Sequence, residues 1–215
     1  MLSINLNRPL PLYFSSGVGG EGSDIWDNTL VMSRGKSYLV LANSGRGKTS
    51  LCSFLYGMRY DYSGVIAFDN RELRSLKTAD WIDVRKSSLS LFFQDMRLFS
   101  ELTSFENIEL NNRLTNYKKK SEIKELLAVF GLESKVHQKL ERLSLGEQQR
   151  VAFIRSLCQP FDFILLDEPV SHLDEDNAAI MASVLKEELK SREAGVIVTS
   201  VGNTLDLAYD KILKL

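Results

Sequence analysis

Residues 39–50 read LVLANSGRGKTS, and this stretch decides the fold class. An apolar strand over Ser37–Ala42 leads into a loop that contains two glycines, and a helix is expected to follow over Thr49–Met58. A buried strand, a glycine loop and a helix in this order are typical of a phosphate-binding loop in an α/β protein. The loop ends on Gly47-Lys48-Thr49, as the motif requires, but it opens on Ala42 where glycine is usual.

The residue types in the loop suit phosphate binding. Glycine at 45 and 47 lets the backbone approach a ligand, and the loop amides can form a nest of donors around phosphates. Lys48 would neutralise the β- and γ-phosphates, and the Thr49 hydroxyl would ligate magnesium. The predicted nucleotide-binding residues of the loop are Ala42, Asn43, Ser44, Gly45, Arg46, Gly47, Lys48, Thr49 and Ser50. A helix cap after a glycine turn is the alternative for the loop taken alone.

A second stretch supplies acids that such a loop lacks. Phe163–Asp167 is an apolar strand, and it ends in the pair Asp167-Glu168. Asp167 can hold magnesium through water, and Glu168 can orient or deprotonate an attacking water. Alone, the pair could be a strand end before a turn at Pro169, but with Lys48 it makes the second half of a site for a nucleoside triphosphate.

Length, charge and cysteine content bound the protein class. The chain has 215 residues and a net charge of −1, so we expect a single domain over residues 1–215 and no nucleic-acid partner. Cys52 and Cys158 have no metal-binding spacing and fit a reducing compartment. No run reaches the roughly 18–20 apolar residues of a membrane span, and the first residues do not resemble a signal peptide. We expect a cytoplasmic protein that reaches a membrane only through a partner.

Apolar runs of strand length predict two sheets. The N-terminal runs Leu2–Leu6 and Leu30–Met32 predict an antiparallel β subdomain, and a mostly parallel sheet is expected from Ser37–Ala42, Val65–Phe68, Leu89–Phe93, Phe163–Asp167 and Val196–Thr199. Helical spacing over Ile123–Phe130 and Leu145–Cys158 predicts an inserted helical subdomain at about residues 95–160. A further helix is expected over Asp174–Arg192. The fold class is α/β, with the core of a P-loop NTPase.

A second glycine-rich stretch, Gly17–Gly22, formally matches the dinucleotide fingerprint GxGxxG. That fingerprint binds pyrophosphate only when a helix starts at its last glycine. Here Ser23–Asp27 and another strand follow, so we interpret the stretch as a flexible loop.

Further motifs identify a family. Leu143–Arg150 reads LSLGEQQR, which resembles the LSGGQ signature of ATP-binding cassette (ABC) proteins. Phe93-Gln94-Asp95 resembles the family's Q-loop, and Ser171–Asp174 resembles its D-loop. With the glycine loop and the Asp-Glu strand, these motifs occur in the family's order and spacing over nearly the whole chain. The chain is similar to the ATPase subunit of an ABC transporter.

The resemblance implies a mechanism. Two such subunits, here expected as a homodimer, pair head to tail around ATP, and Ser144, Gly146 and Glu147 of each signature face the other subunit's nucleotide. Gln94, Glu168 and the Ser200 position are implied in catalysis. Thr49, Gln94 and Asp167 are implied in holding Mg²⁺. The helical insertion would grip an integral membrane permease, which places the protein at the inner face of the cytoplasmic membrane.

A narrower likeness follows the Q-loop. Phe92–Thr103, continuing to Glu106-Asn107-Ile108, is similar to the lipoprotein-release, MacB and FtsE ATPases, which implies a membrane partner like FtsX or MacB. The apolar residues of this run could equally form the helical subdomain's own core. The run therefore favours this group without deciding it.

Three positions depart from the family pattern. Leu145 replaces a signature glycine, Glu147 replaces the signature glutamine, and Ser200 stands where the family has histidine. Tyr13 and Phe14 are the candidates for stacking on adenine, with a core role as the alternative. Two functions remain open: an ATPase that drives a membrane partner, and a nucleotide-gated clamp that hydrolyses weakly because Ser200 is too short to replace histidine.

Overall fold

The computed structural model describes residues 1–14 and 22–215, in which strands and helices alternate along most of the chain. The strands are β1 (Ser3–Pro11), β2 (Thr29–Ser33), β3 (Ser37–Leu41), β4 (Tyr62–Phe68), β5 (Arg71–Glu72), β6 (Leu89–Phe92), β7 (Phe163–Asp167), β8 (Gly195–Ser200) and β9 (Lys211–Lys214). The helices are α1 (Lys48–Leu55), α2 (Thr78–Ser87), α3 (Ser104–Asn112), α4 (Lys120–Val129), α5 (Leu145–Leu157) and α6 (Glu175–Arg192). Most of the Gly17–Gly22 stretch lies outside the described residues, so its interpretation as a loop stays a prediction.

An antiparallel sheet contains the N-terminal strands in the order β2-β1-β4-β5. Asn5 of β1 pairs with Val31 on one side and with Ala67 on the other. The assignment of Val65–Phe68 to the parallel sheet is wrong, because this run is the end of β4 and pairs antiparallel with β1. Buried and more exposed residues alternate there, as on a sheet with only one covered face, and the continuous apolar sequence concealed that alternation.

A parallel sheet forms the centre of the molecule in the order β6-β7-β8-β3-β9. Every residue of β7 and β8 is buried, which explains their near-continuous apolar sequences. Because the strands run the same way, the ends of β6, β7, β8 and β3 meet at one edge of the sheet. Ligands of open parallel sheets bind outside this carboxyl edge. The parallel sheet with its helices confirms the predicted α/β fold class.

Helices α3, α4 and α5 lie between β6 and β7, within the range predicted for the helical insertion. Phe153 of α5 joins them to the sheet, because its ring packs edge-on against Phe92 of β6 and Phe130 after α4, at centroid distances of 6.5 and 5.7 Å. Helices α2 and α3 and strand β9 were not predicted from the sequence. The observed α5 is one residue shorter than predicted.

Candidate nucleotide-binding site

The glycine loop connects β3 to α1, as predicted. Gly45 and Gly47 have φ values of 79° and 94°, which side-chain-bearing residues rarely adopt. A Cβ on Gly47 would lie 3.1 Å from Trp26 Cζ2 and 3.2 Å from the Tyr13 hydroxyl oxygen, so a side chain here would be tight as well as conformationally strained. Ala42 has no such constraint: its amide donates to Ser200 O at 3.1 Å and extends the pairing of β3 with β8.

The first turn of α1 leaves donors open. Gly47 stands at the N-cap and has no side chain to cap the helix. The amides of Lys48, Thr49 and Ser50 donate to no acceptor among the described residues. Unpaired amides at a helix N-terminus, together with the helix dipole, form a site for anions.

Lys48 is buried beneath this loop. Its Nζ donates to Ala42 O at 2.9 Å and to Asn43 O at 3.1 Å, and lies 3.3 Å from Glu168 Oε1. Only 4% of its side chain is exposed. Three oxygen atoms thus surround the ammonium group. The sequence predicts that this group binds the phosphates of a nucleotide. Arg46, by contrast, is exposed and lines a separate cavity with Asn43 and Val201.

The carboxyl edge brings the other predicted residues together. The Thr49 hydroxyl donates to Gln94 Oε1 at 3.3 Å, and Gln94 Nε2 donates to Glu168 Oε2 at 3.4 Å. Glu168 follows β7 with a φ of 50°, a strained value for this residue type, and its amide donates to Thr199 O at 3.2 Å. This backbone conformation turns the carboxylate toward both Lys48 and Gln94.

Asp167 is the buried member of the acid pair, with 2% of its surface exposed. It accepts a hydrogen bond of 2.6 Å from the Thr199 hydroxyl. Burial raises the pKa of Asp167 above its usual range, although hydrogen bonds from Thr199 and Thr49 oppose the shift. A nearby cation would favour the charged carboxylate.

The oxygen atoms at this edge fit magnesium. Thr49, Gln94 and Asp167 offer a hydroxyl, an amide oxygen and a carboxylate, which are ligand types that Mg²⁺ prefers. Among the described residues there is no cluster of three or more His, Cys, Asp or Glu side chains that could hold a metal alone. The donor set therefore suits an ion that arrives with a phosphate ligand and keeps several waters.

Tyr13 closes the other side of the loop. Its hydroxyl donates to Ser50 Oγ at 2.9 Å, and Arg59 donates to the same oxygen at 3.2 Å. Tyr13 is 45% exposed and, with the glycine loop, Gln94 and Glu168, lines a cavity of about 260 Å³. Phe14 instead packs against the apolar core and edge-on against Trp26 at 6.4 Å. Of the two adenine-stacking candidates, Tyr13 is the one at the cavity.

The signature motif forms the start of α5. Ser144 is the N-cap: its hydroxyl accepts from the Glu147 amide at 3.3 Å, and its own amide donates to Glu147 Oε2 at 2.8 Å. This capping box lowers the pKa of Glu147, mainly through the Ser144 amide. Leu145 is exposed, and a Cβ on Gly146 would lie 3.1 Å from His172 O. The box thus accounts for an acidic residue in place of glutamine.

The signature does not reach the glycine loop of its own chain. Ser144, Gly146 and Glu147 line a separate cavity of about 540 Å³ with residues of the 172–174 turn. No residue lines both this cavity and the one at the glycine loop. Within one chain, the signature and the glycine loop therefore face different cavities.

Ser200 lies at the end of β8 but directs its hydroxyl into its own turn. The side chain accepts a hydrogen bond from the Gly202 amide at 2.9 Å and donates to Asn203 O. The residue is buried. Its predicted catalytic role stays a prediction, and the hydroxyl is already engaged.

Gln149 was not predicted as a site residue. It is buried on α5 and holds the turn after β7, because its side chain donates to Pro169 O at 2.8 Å and accepts from the His172 amide at 3.1 Å. Arg155, also on α5, donates to the carbonyl oxygens of Met96 and Arg97 after the Q-loop. The position of Gln149 next to the signature motif could have suggested a role for it. Its hydrogen-bond partners could not be found from the sequence, because they lie some twenty residues away.

Comparison with known proteins agrees with this geometry. Residues 27–171 match the family model described as ABC transporter. The lipoprotein-releasing system ATP-binding protein LolD of Syntrophotalea carbinolica is 33% identical over 184 residues, which are 84% of this chain and 81% of LolD. The methionine import ATP-binding protein MetN 2 of Bacillus cereus is 31% identical over 86% of this chain, which spans only 54% of that protein's length.

Solved structures give the same fold. The dimeric structure of MJ0796, a bacterial ABC transporter cassette, superposes with a TM-score of 0.76 at 25% identity, over 91% of this chain and 87% of that one. A post-hydrolysis state of MJ0796 bound to ADP and Pi superposes with a TM-score of 0.75 at 24% identity, over 92% and 88%. Within residues 1–14 and 22–215, no helix has the length and apolar character that a membrane crossing requires.

Proposed function

The chain belongs to the ABC transporter family, and we propose that it is an ATP-binding and ATP-hydrolysing subunit that dimerises around ATP and drives a membrane partner. The observation that carries this proposal is the meeting of Lys48, Thr49, Gln94, Asp167 and Glu168 at one edge of the parallel sheet. A basic group, oxygen ligands and a carboxylate base are the parts that phosphoryl transfer to water requires.

The residues divide the chemistry among them. Lys48 and the open amides of α1 bind the phosphates, and Lys48 exchanges its carbonyl and Glu168 contacts for phosphate oxygens. Glu168 is then free to take a proton from the attacking water, which Gln94 helps to orient. Magnesium, when bound at Thr49, Gln94 and Asp167, supplies the neutralisation of phosphate charge. Tyr13 lies where it can stack on the base.

Dimerisation completes the site. Since the signature and the glycine loop line separate cavities, the proposed dimer places Ser144 and Gly146 of one chain on the nucleotide held by the other. The start of α5 offers an anion its helix dipole and amides. Lys135 lies 3.9 Å from Glu147 and offsets part of the negative charge at this helix end.

The membrane partner is proposed to dock beside the Q-loop. Phe99 in this segment is 54% exposed, whereas Met96, Leu98 and Phe105 are partly buried against the core, so Phe99 is the side chain of this run best placed to contact a partner. A permease or a subunit like FtsX or MacB is the proposed occupant. This would hold the protein at the inner face of the cytoplasmic membrane.

A second candidate, a clamp that binds ATP and hydrolyses it weakly, is favoured by one observation. The Ser200 hydroxyl is bound within its own turn, so it is not free to act on a phosphate as the family's histidine would.

ATP turnover separates the two candidates. The chain, purified with the membrane protein that accompanies it, should hydrolyse ATP in the presence of Mg²⁺, and Glu168→Gln should abolish turnover while ATP binding persists. A wild-type complex that binds ATP but turns over no faster than Glu168→Gln would establish the clamp.

A further inference from the structure

The chain has two histidines, and neither lies at the Ser200 position. His137 is exposed in the segment between α4 and α5. His172 lies in the turn between β7 and α6, five residues after Asp167. An imidazole near the carboxyl edge must therefore come from this turn.

Hydrogen bonds with the buried side chain of Gln149 hold the turn that carries His172, a residue that is itself exposed. The side-chain oxygen of Gln149 accepts from the His172 amide at 3.1 Å, and its nitrogen donates to Pro169 O and, at 3.3 Å, to Ser171 Oγ. Gln149 is 2% exposed, whereas Ser171 and His172 are exposed, so the turn is held from its buried side. The turn is thus fixed to the same helix that carries the signature.

The imidazole has one nitrogen engaged and one available. Nδ1 lies 2.9 Å from Ser171 Oγ. The direction of this hydrogen bond depends on the tautomer, because the hydroxyl oxygen can accept from both Gln149 and Nδ1, or can donate to Nδ1. Nε2 makes no hydrogen bond to any residue that the structure describes. The contact with Ser171 therefore occupies Nδ1 and leaves Nε2 available.

His172 lies between two functional cavities. One, of about 390 Å³, is lined by His172 together with Thr49, Gln94 and Asp167. The other is the signature cavity, which His172 shares with Ser144. Ser200 ends β8, which lies across β7 from β6 in the sheet, and it lines neither cavity.

We propose that His172 is a positioning residue for ATP hydrolysis: from the cavity that it lines with Thr49, Gln94 and Asp167, its imidazole orders these side chains and so supplies, from the Gln94 side, an imidazole that Ser200 cannot. The inference rests on the proposed ATPase function. It assigns His172 an action through Gln94 and Asp167, without contact to the γ-phosphate. A loss of such positioning costs about 10- to 100-fold in rate.

Histidine NMR tests the placement without turnover. In the Glu168→Gln variant, addition of Mg²⁺ and ATP should shift the imidazole C–H resonances of His172 and leave those of His137 unchanged. Equal behaviour of the two histidines would overturn the placement. His172→Ala and His137→Ala assign the two signals.

Kinetics test the role. His172→Ala should lower kcat by about 10- to 100-fold with KM for ATP little changed, and His172→Gln, which keeps an N–H donor, should recover part of the loss. His137→Ala is the matched control and should keep wild-type turnover. Ser200→His should raise the turnover of His172→Ala by a larger factor than that of the wild type, because the two imidazoles would serve one step.

The outcomes separate the inference from the function on which it rests. A wild-type complex that hydrolyses ATP at the rate of His172→Ala would overturn the inference alone. A wild-type complex no faster than Glu168→Gln would overturn the ATPase function and the inference together. Melting temperatures of all variants near that of the wild type show that the turn has kept its fold.

Discussion

Replacement of Lys48 by alanine is the most direct test of the site. The side chain makes three contacts, to Ala42 O, Asn43 O and Glu168 Oε1, and it is 4% exposed. Alanine removes the one cation that is buried in the glycine loop, while the exposed Arg46 remains. Binding of ATP should therefore fall sharply without loss of the loop's backbone.

The magnitude follows from an exchange of contacts. Two charge-assisted hydrogen bonds from Lys48 to the β- and γ-phosphates would contribute about 3–6 kcal/mol, at about 1.5–3 kcal/mol each. Lys48 gives up its bonds to two carbonyls and Glu168 when it turns to the phosphates, so the lower end applies. About 3 kcal/mol corresponds to a roughly 100-fold weaker Kd, since about 1.4 kcal/mol is tenfold.

Calorimetric titration with a slowly hydrolysed ATP analogue measures this loss. Arg46→Ala is the matched control, because Arg46 belongs to the same loop but lines a different cavity, and its Kd should stay within about threefold of the wild type. The melting temperature of Lys48→Ala should stay close to that of the wild type. A folded Lys48→Ala protein with a Kd within threefold of the wild type would refute the assignment of the phosphate site.

Substitutions at four further positions test other parts of the site. Glu168→Gln should trap an ATP-bound dimer, visible by light scattering with Mg²⁺ and absent without ATP; a monomer throughout would contradict the proposed dimer. Glu147→Gln should keep the capping box, remove one negative charge and tighten that dimer in the Glu168→Gln background; weaker dimerisation would show that the carboxylate contributes. Asp167→Asn should abolish Mg²⁺-dependent hydrolysis yet raise the melting temperature at pH 7, because it removes a buried charge. Burial raises the pKa of Asp167, so this residue favours the fold most at low pH and loses that contribution as pH rises through its pKa; the gain should vanish below about pH 4. Tyr13→Phe should leave Kd for ATP within threefold, whereas Tyr13→Ala should weaken it if the ring stacks on the base.

Local order along the chain made much of the site predictable. A phosphate-binding loop must follow a strand and precede a helix, so Gly45 to Thr49 could be placed from neighbouring residues alone. The pairing of Asp167 with this loop needed one further rule, that parallel strands present their carboxyl ends at one edge. The side chains of Thr49, Gln94 and Glu168 are in fact linked there by hydrogen bonds.

Long-range contacts explain what was missed. The strand that ends at Phe68 reads as a continuous apolar run, and only its pairing with β1, some sixty residues earlier, fixes it in the antiparallel sheet. Helix α3 has weak amphipathic character, but Thr103 and Glu106 form a capping box that was visible as a T-x-x-E pattern. The partners of Gln149 could not be read from sequence, because a buried amide can bond to any backbone that the fold brings near.

The departures from the family pattern have different physical weights. At Glu147 the N3 position of a capping box accepts glutamate as readily as glutamine, so the exchange preserves the start of α5 and changes only charge. The side chain of Leu145 is exposed, so the replacement of glycine by leucine at this position removes no contact. Ser200 has a different effect from the other two departures. Its hydroxyl is engaged in hydrogen bonds within the 200–203 turn and is therefore not available to a phosphate. Lys48, the three oxygen-bearing side chains and Glu168 are all present at this edge, so we expect the absence of histidine at position 200 to affect the rate of hydrolysis rather than nucleotide binding. The side chain that we propose to compensate is His172, which lines a cavity with Gln94 and Asp167.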